Sequence, residues 1–159
     1  MQPLVPILMG SKSDLEHGRK IADALHSFGI ESQIRVCSAH KVPAYALELL
    51  ATYEAMERPI VYVTIAGRSN ALSGLVDAQV SRPVVACPPT SSSFGGADIF
   101  SSLRMPSGVT PAVVLEPKNA ALLVAKMLAL TSPGLREKVA AAQQVYRDEV
   151  TGADRELNP

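Results

Sequence analysis

The sequence predicts an α/β fold of three layers, a five-stranded parallel sheet in the order 2-1-3-4-5 with helices on both faces and an extra helix at the C-terminus. Three observations predict it. Short apolar runs alternate with longer stretches of helical period, which is the pattern of a parallel sheet wound by crossover helices. One of the runs, Gln33-Ile34-Arg35-Val36-Cys37, alternates polar and apolar residues while the others are continuously apolar, so it belongs at an edge. The runs number five, and their alternation with helical stretches continues along the chain, which puts helices on both faces of the sheet.

The elements follow in order. Leu4 to Met9 is the first strand, ended by Gly10. Ser13 to Phe28 reads as a helix with Ile21, Ala22, Leu25 and Phe28 on one face, and Gly29 as its C-terminal cap. After the edge strand, Pro43 opens a helix at a position that needs no amide donor, with Ala46, Leu49, Leu50, Tyr53 and Met56 facing inward. Pro59 to Ile65 is nearly all apolar and therefore central. Asn70 to Val80 is a short helix, Pro83 to Ala86 a fourth strand, and Thr90 to Gly96 a Ser/Gly loop. Ala97 to Leu103 reads as helical, and Met105-Pro106-Ser107-Gly108 as a turn. Ala112 to Leu115 is the fifth strand. The helix from Asn119 to Leu130 has almost no polar stripe, and the helix from Leu135 to Val150 aligns Leu135, Val139, Ala142 and Tyr146. Both faces therefore call for neighbouring subunits, whereas 151–159 reads as a loose tail. With strand two at the edge, the order is the flavodoxin-like one, in a single domain spanning 1–159.

Composition narrows the function. Fifteen basic residues balance fifteen acidic ones, which excludes the phosphate-neutralising surface of a nucleic-acid binder. No apolar run approaches the roughly 20 residues that span a bilayer. The N-terminus lacks the basic region and cleavage site of a signal peptide. Cys37 and Cys87 cannot build a disulfide framework, and free thiols fit a reducing cytoplasm.

Ligands in this fold sit beyond the carboxyl ends of the strands. Gly10-Ser11-Lys12-Ser13-Asp14 places amides and hydroxyls at a helix N-terminus, which suits a phosphate or ribose. Ser13 with Glu16 three residues later also fits a capping box, and the two readings are compatible. Ser38-Ala39-His40-Lys41 follows the edge strand. His40 alone of the three histidines lies at a strand terminus, where an imidazole that titrates near neutrality suits proton transfer. A loop histidine bonded to backbone is the competing reading. His17 and His26 fall on the exposed pattern of the first helix. Ala66-Gly67-Arg68-Ser69-Asn70 breaks sharply from an apolar strand. Gly67 permits close backbone approach and Arg68 suits a carboxylate or phosphate, although plain turn chemistry explains the same run. Cys87-Pro88-Pro89 reads as a stiff structural wall, and Leu103 to Gly108 as a turn rather than a loop over the pocket. No His or Cys spacing suggests a metal.

Three segments together resemble the PurE family of purine biosynthesis: Gly10 to Asp14, Ser38 to Lys41, and Ser101-Ser-Leu-Arg-Met-Pro-Ser-Gly108. Asn119-Ala-Ala-Leu-Leu123 is similar to its late helix, and the resemblance runs over about residues 4–130. The family's mutases, which move a carboxyl group from nitrogen to the ring carbon of carboxyaminoimidazole ribonucleotide, carry Ala-Gly-Gly-Ala-Ala-His-Leu-Pro-Gly after the third strand. Here the run is Ala66-Gly-Arg-Ser-Asn-Ala-Leu-Ser-Gly74, with Ala71 where the mutase has histidine and Lys41 where it tends to have arginine. Both departures resemble the class II carboxylases, which add carbon dioxide to 5-aminoimidazole ribonucleotide.

The resemblance implies His40 as general acid and base, Ser11, Ser13 and Lys41 on the phosphate, and Asp14 on the ribose hydroxyls. It also implies Ser38, Ala39 and Gly67 near the base and carboxylate, with Arg68 or Ser69 orienting the new carboxylate. It implies no cofactor, small-molecule substrates only, and a homo-octamer. The mutase and a non-catalytic nucleotide-binding module are the alternatives, and Ala71 and His40 respectively speak against them.

Overall fold

The computed structural model describes residues 1–91 and 93–158. Ser92, within the Ser/Gly loop, and Pro159, at the end of the chain, lie outside the described residues. Strands β1 (Leu4–Met9), β2 (Glu31–Val36), β3 (Tyr62–Ile65), β4 (Val84–Ala86) and β5 (Ala112–Val113) form one parallel sheet in the order 2-1-3-4-5. Helices α1 (Leu15–Ser27) and α5 (Pro117–Leu128) cover one face, where Ile21, Leu25 and Val124 meet Val5, Ile7 and Val63. Helices α2 (Pro43–Glu54) and α3 (Leu72–Gln79) cover the other, where Leu50, Tyr53 and Val76 meet Leu4, Leu8 and Tyr62. A short helix α4 (Phe100–Leu103) precedes β5, and α6 (Pro133–Leu157) ends the chain.

Several boundaries move for local reasons. Strand β3 begins at Tyr62 rather than Pro59. Pro6 sits inside β1 without an N–H, so the β1–β3 ladder is a single bridge at Leu4–Ile60 before it resumes at Ile7–Val63. Pro83 contributes only its carbonyl, to Tyr62 N–H at 2.9 Å, and β4 starts one residue later. The Gly29 cap forms as expected. Gly29 has φ +75°, its N–H bonds His26 O at 2.8 Å, and Ile30 N–H bonds Leu25 O at 3.1 Å, a Schellman closure.

The C-terminal segment differs from expectation. Residues 151–157 continue α6 instead of forming a loose tail, with Thr151 Oγ1 donating to Arg147 O at 3.0 Å and Asn158 N–H closing the end on Asp154 O at 3.0 Å. Gly152 is tolerated on an open helix face, at a cost of about 1 kcal/mol. Only Leu135 and Val139 of α6 are buried, while Tyr146 and Val150 are exposed. The α5 helix, by contrast, is largely covered by its own chain through α1 and the first turns of α6, and needs no neighbour to bury Ala121, Val124 or Leu128.

One long-range polar contact secures the second face. The Arg82 guanidinium donates to Tyr53 O at 3.1 Å and Met56 O at 2.7 Å and sits 3.5 Å from the Glu54 carboxylate, satisfying the open carbonyls at the end of α2. Arg82→Ala is expected to lower stability by about 1–3 kcal/mol, because partly buried carbonyls lose charged donors. The check is the urea midpoint, and an unchanged midpoint would refute the role.

Candidate active site

The carboxyl ends of the strands are held side by side by backbone bonds that continue past each strand. Gly10 N–H reaches Ile65 O at 2.9 Å, Cys37 N–H reaches Met9 O at 2.8 Å, and Cys87 N–H reaches Thr64 O at 2.8 Å. The loops that leave these four ends enclose a cavity of about 670 Å³, a volume suited to a nucleotide-sized ligand.

Each loop contributes a different chemistry. Ser11, Ser13 and Asp14 enter from the β1 loop, and Ser38, Ala39, His40 and Lys41 from the β2 loop. Gly67, Arg68 and Ser69 enter from the β3 loop. Every residue singled out from the sequence as a site candidate therefore lines one cavity. The fourth wall, formed by Pro89, Thr90, Ser91, Ser93 and Asp98, was not resolved to individual residues from the sequence. Asp98 follows Gly95-Gly96-Ala97 in a stretch read simply as the start of a helix, which gives no signal of a site. Residues 103–108 do not reach the cavity, and Val109 N–H bonding Pro106 O at 3.2 Å makes them a plain turn.

The β1 loop is built differently from its sequence reading. Ser13 and Glu16 form no capping box. Ser11 is the cap of a 3₁₀ turn over Lys12–Asp14, and its Oγ accepts from Ser13 N–H at 3.2 Å and from the Ser13 hydroxyl at 2.8 Å. The 3₁₀ turn delays α1 to Leu15, so two hydroxyls face the cavity at the start of the helix. In the β2 loop, Ser38 bends the chain. Its Oγ accepts from Lys41 N–H at 3.3 Å and its carbonyl from Val42 N–H at 3.0 Å, which presents His40 and Lys41 on an exposed turn at the rim.

His17 is a correction. It is half-buried, not on the surface, with Nε2 donating to Cys87 O at 3.1 Å and lying 3.3 Å from Cys87 Sγ. It stands one turn before Ile21, so it shares that residue's inward flank. Burial lowers its pKa, against the opposing pull of the Cys87 carbonyl and the Asp14 charge. Burial likewise raises the pKa of Asp14, with His17 acting in the opposite direction. Neither thiol is a nucleophile: burial pushes Cys87 up to about 12 and Cys37 to about 11. Among the described residues no group of three His, Cys, Asp or Glu side chains is placed to hold a metal ion.

The cavity thus combines a hydroxyl-lined helix start, two cationic side chains, one exposed imidazole and two carboxylates. That set fits an anionic ribose phosphate whose base undergoes proton transfer.

A family model described as AIR carboxylase matches residues 4–149. The phosphoribosylaminoimidazole carboxylase of Archaeoglobus fulgidus is 58% identical over 151 residues, covering 95% of this chain and 83% of that one. The enzyme of the same name from Treponema denticola is 54% identical over 154 residues, covering 94% of this chain and 97% of the relative. The crystal structure of Treponema denticola PurE superposes with a TM-score of 0.97 at 52% identity, over 99% of this chain and 100% of that one.

Proposed function

The chain belongs to the AIR carboxylase family, and on that premise we propose how its cavity carboxylates 5-aminoimidazole ribonucleotide to 4-carboxy-5-aminoimidazole ribonucleotide in purine biosynthesis. The single observation that carries the reading is that all the candidate residues of three separate loops converge on one cavity at the strand termini.

The substrate ring is enamine-like, so its carbon attacks carbon dioxide directly and forms the new carbon–carbon bond. The adduct still carries the ring proton, and its loss restores aromaticity. His40 takes that proton and returns it in the reverse reaction. Ser11, Ser13 and Lys41 hold the phosphate at the start of the helix, and Asp14 holds the ribose hydroxyls. Ser38, Ala39 and Gly67 bring backbone to the base, and Arg68 or Ser69 orients the carboxylate. These steps require no cofactor from the protein beyond its own side chains.

The mutase reading is not favoured. Its histidine position is Ala71, whose N–H bonds Ser69 O at 3.0 Å in the turn into α3 and which carries no titratable group. The test is to supply the aminoimidazole ribonucleotide and bicarbonate without ATP. Carboxylated product is expected. Use of the nitrogen-carboxylated substrate alone, with no reaction of the free aminoimidazole, would restore the mutase.

No helix among the described residues is long and apolar enough to cross a membrane. We propose a cytoplasmic homo-oligomer, an octamer by family resemblance. Support comes from the exposed apolar side chains of Val145, Tyr146 and Val150 along the distal half of α6. Light scattering that gives a monomer at micromolar concentration would overturn the assembly.

A further inference from the structure

Arg68 has φ +57°, in the left-handed region, where a residue with a Cβ carries about 1–3 kcal/mol of backbone strain. Such a conformation persists only where its surroundings fix it. The residues that fix it come from a segment about thirty positions later. Arg68 N–H donates to Asp98 Oδ2 at 3.0 Å. Asn70 N–H donates to Ser101 Oγ at 2.9 Å, and that hydroxyl donates its own proton to Asp98 O at 2.7 Å. With its proton so committed, the 3.4 Å approach of Ser101 Oγ to Arg68 O is the lesser contact. The buried Asn70 side chain completes the attachment, donating to Ser102 Oγ at 2.9 Å and accepting from Ser73 N–H at 3.1 Å.

The turn that leaves the central strand is therefore bonded at both ends. Its front end rests on one carboxylate, which also lines the cavity. A bond from an amide to an ionised carboxylate is about twice as strong as a neutral one. That strength is what a strained amide needs to stay in place. Gly67 adds to the constraint, because a Cβ there would lie 3.3 Å from Pro89 Cγ, leaving the turn little room on that side.

We propose that Asp98 is a positioning residue for carboxylation: seated on the Arg68 amide, its carboxylate holds Arg68 in the left-handed form within the Gly67–Asn70 turn and so sets where the Arg68 and Ser69 side chains enter the cavity. The inference rests on the carboxylase reading and adds to it a residue that does not touch the reacting atoms. Because the phosphate grip lies on the β1 and β2 loops, loss of Asp98 moves the carboxylate-orienting groups and leaves ribonucleotide capture in place.

The experiment measures kcat and KM for the aminoimidazole ribonucleotide, with bicarbonate as carbon dioxide source, in Asp98→Ala and Asp98→Asn. Each variant is made in the native background and in an Arg68→Gly background, which removes the strain at φ +57° together with the Arg68 side chain, so losses there are read relative to Arg68→Gly alone. Wild-type turnover is established first, so that failure of the carboxylase reading shows separately. In the native background Asp98→Ala is expected to lower kcat at least 10-fold with KM within 3-fold. Asp98→Asn, whose amide oxygen accepts the same N–H, is expected to recover a substantial part. In the Arg68→Gly background Asp98→Ala is expected to cost less than 2-fold further. An equal loss in both backgrounds, an asparagine variant as inactive as the alanine one, or a defect confined to KM would each overturn the proposal. Should Asp98→Ala fail to fold, Ser101→Ala removes the acceptor of the Asn70 amide and is read by the same two-background pattern.

Discussion

His40→Asn is expected to lower turnover by about 100- to 10,000-fold while the ribonucleotide still binds. The imidazole stands on the turn after β2, exposed at the cavity rim, with Ser38 shaping the turn beneath it. The other two histidines cannot substitute for it. His17 is engaged with the Cys87 carbonyl at 3.1 Å, and His26 lies in the last turn of α1, away from the strand termini. The carboxylates on the cavity wall also have other tasks: Asp98 accepts the Arg68 amide, and Asp14 is assigned to the ribose. Asparagine keeps a hydrogen-bonding group of similar reach but exchanges no proton at neutral pH. The ring proton of the adduct then has no base to receive it, and the reverse reaction has no acid. Steady-state kinetics paired with calorimetric binding of the ribonucleotide separates the two effects. Residual turnover above one-tenth of wild type would remove His40 from the proton transfer.

What the sequence made legible, and what it did not, divides along the range of the interactions. Features set by neighbours in the chain were readable. Gly29 after Phe28 announced its left-handed cap, Pro43 announced the first turn of α2, and the alternation in Gln33–Cys37 announced an edge strand with one exposed flank. Strand order followed from that edge, and the four rim loops followed from strand order. Features set by distant partners were not readable. The consequence of Pro6 lies in the strand opposite, where an acceptor finds no donor. His17 looked exposed until Cys87 arrived from seventy residues away.

The β1 loop shows a subtler failure, because two serines competed to cap the same turn. The Ser13–Glu16 spacing matched a capping box, yet Ser11 won by capping a 3₁₀ turn from two residues earlier. The site survived that misreading because Ser11 and Ser13 both line the cavity in the arrangement that forms. Asp98 is the extreme case. Its role depends wholly on a backbone amide thirty residues earlier, and nothing in its own neighbourhood distinguishes it from an ordinary helix-start aspartate. The helical course of 151–157 reflects the opposite error, a polar terminal stretch read as loose: polarity does not stop a helix that is already propagating, and Gly152 weakens it by only about 1 kcal/mol.

The Ser11 cap permits a test in which folding and function are expected to move in opposite directions. Ser11→Asp is expected to leave the fold intact while raising KM for the ribonucleotide about 100-fold or more. Aspartate caps helical turns as well as serine does, and a negative charge at the start of α1 is favourable to the helix. The bonds now accepted by Ser11 Oγ, from Ser13 N–H at 3.2 Å and Ser13 Oγ at 2.8 Å, both suit a carboxylate oxygen. Thermal stability should therefore hold or rise slightly. The same carboxylate stands where the substrate phosphate is assigned. Two unit charges about 4 Å apart repel by about 4 kcal/mol at the effective dielectric of a protein surface, and solvent at the cavity mouth reduces that figure. Lys41, on the neighbouring β2 loop, is then drawn to the new carboxylate as well as to the phosphate, which weakens its grip further. Ser11→Ala supplies the control, since it removes the hydroxyl's bond to the charged phosphate, worth about 1.5–3 kcal/mol, together with the two bonds from Ser13, without adding repulsion. If the aspartate variant is stable and binds the ribonucleotide as tightly as wild type, the phosphate does not lie at the start of α1. The assignment of Ser11, Ser13 and Lys41 then fails together.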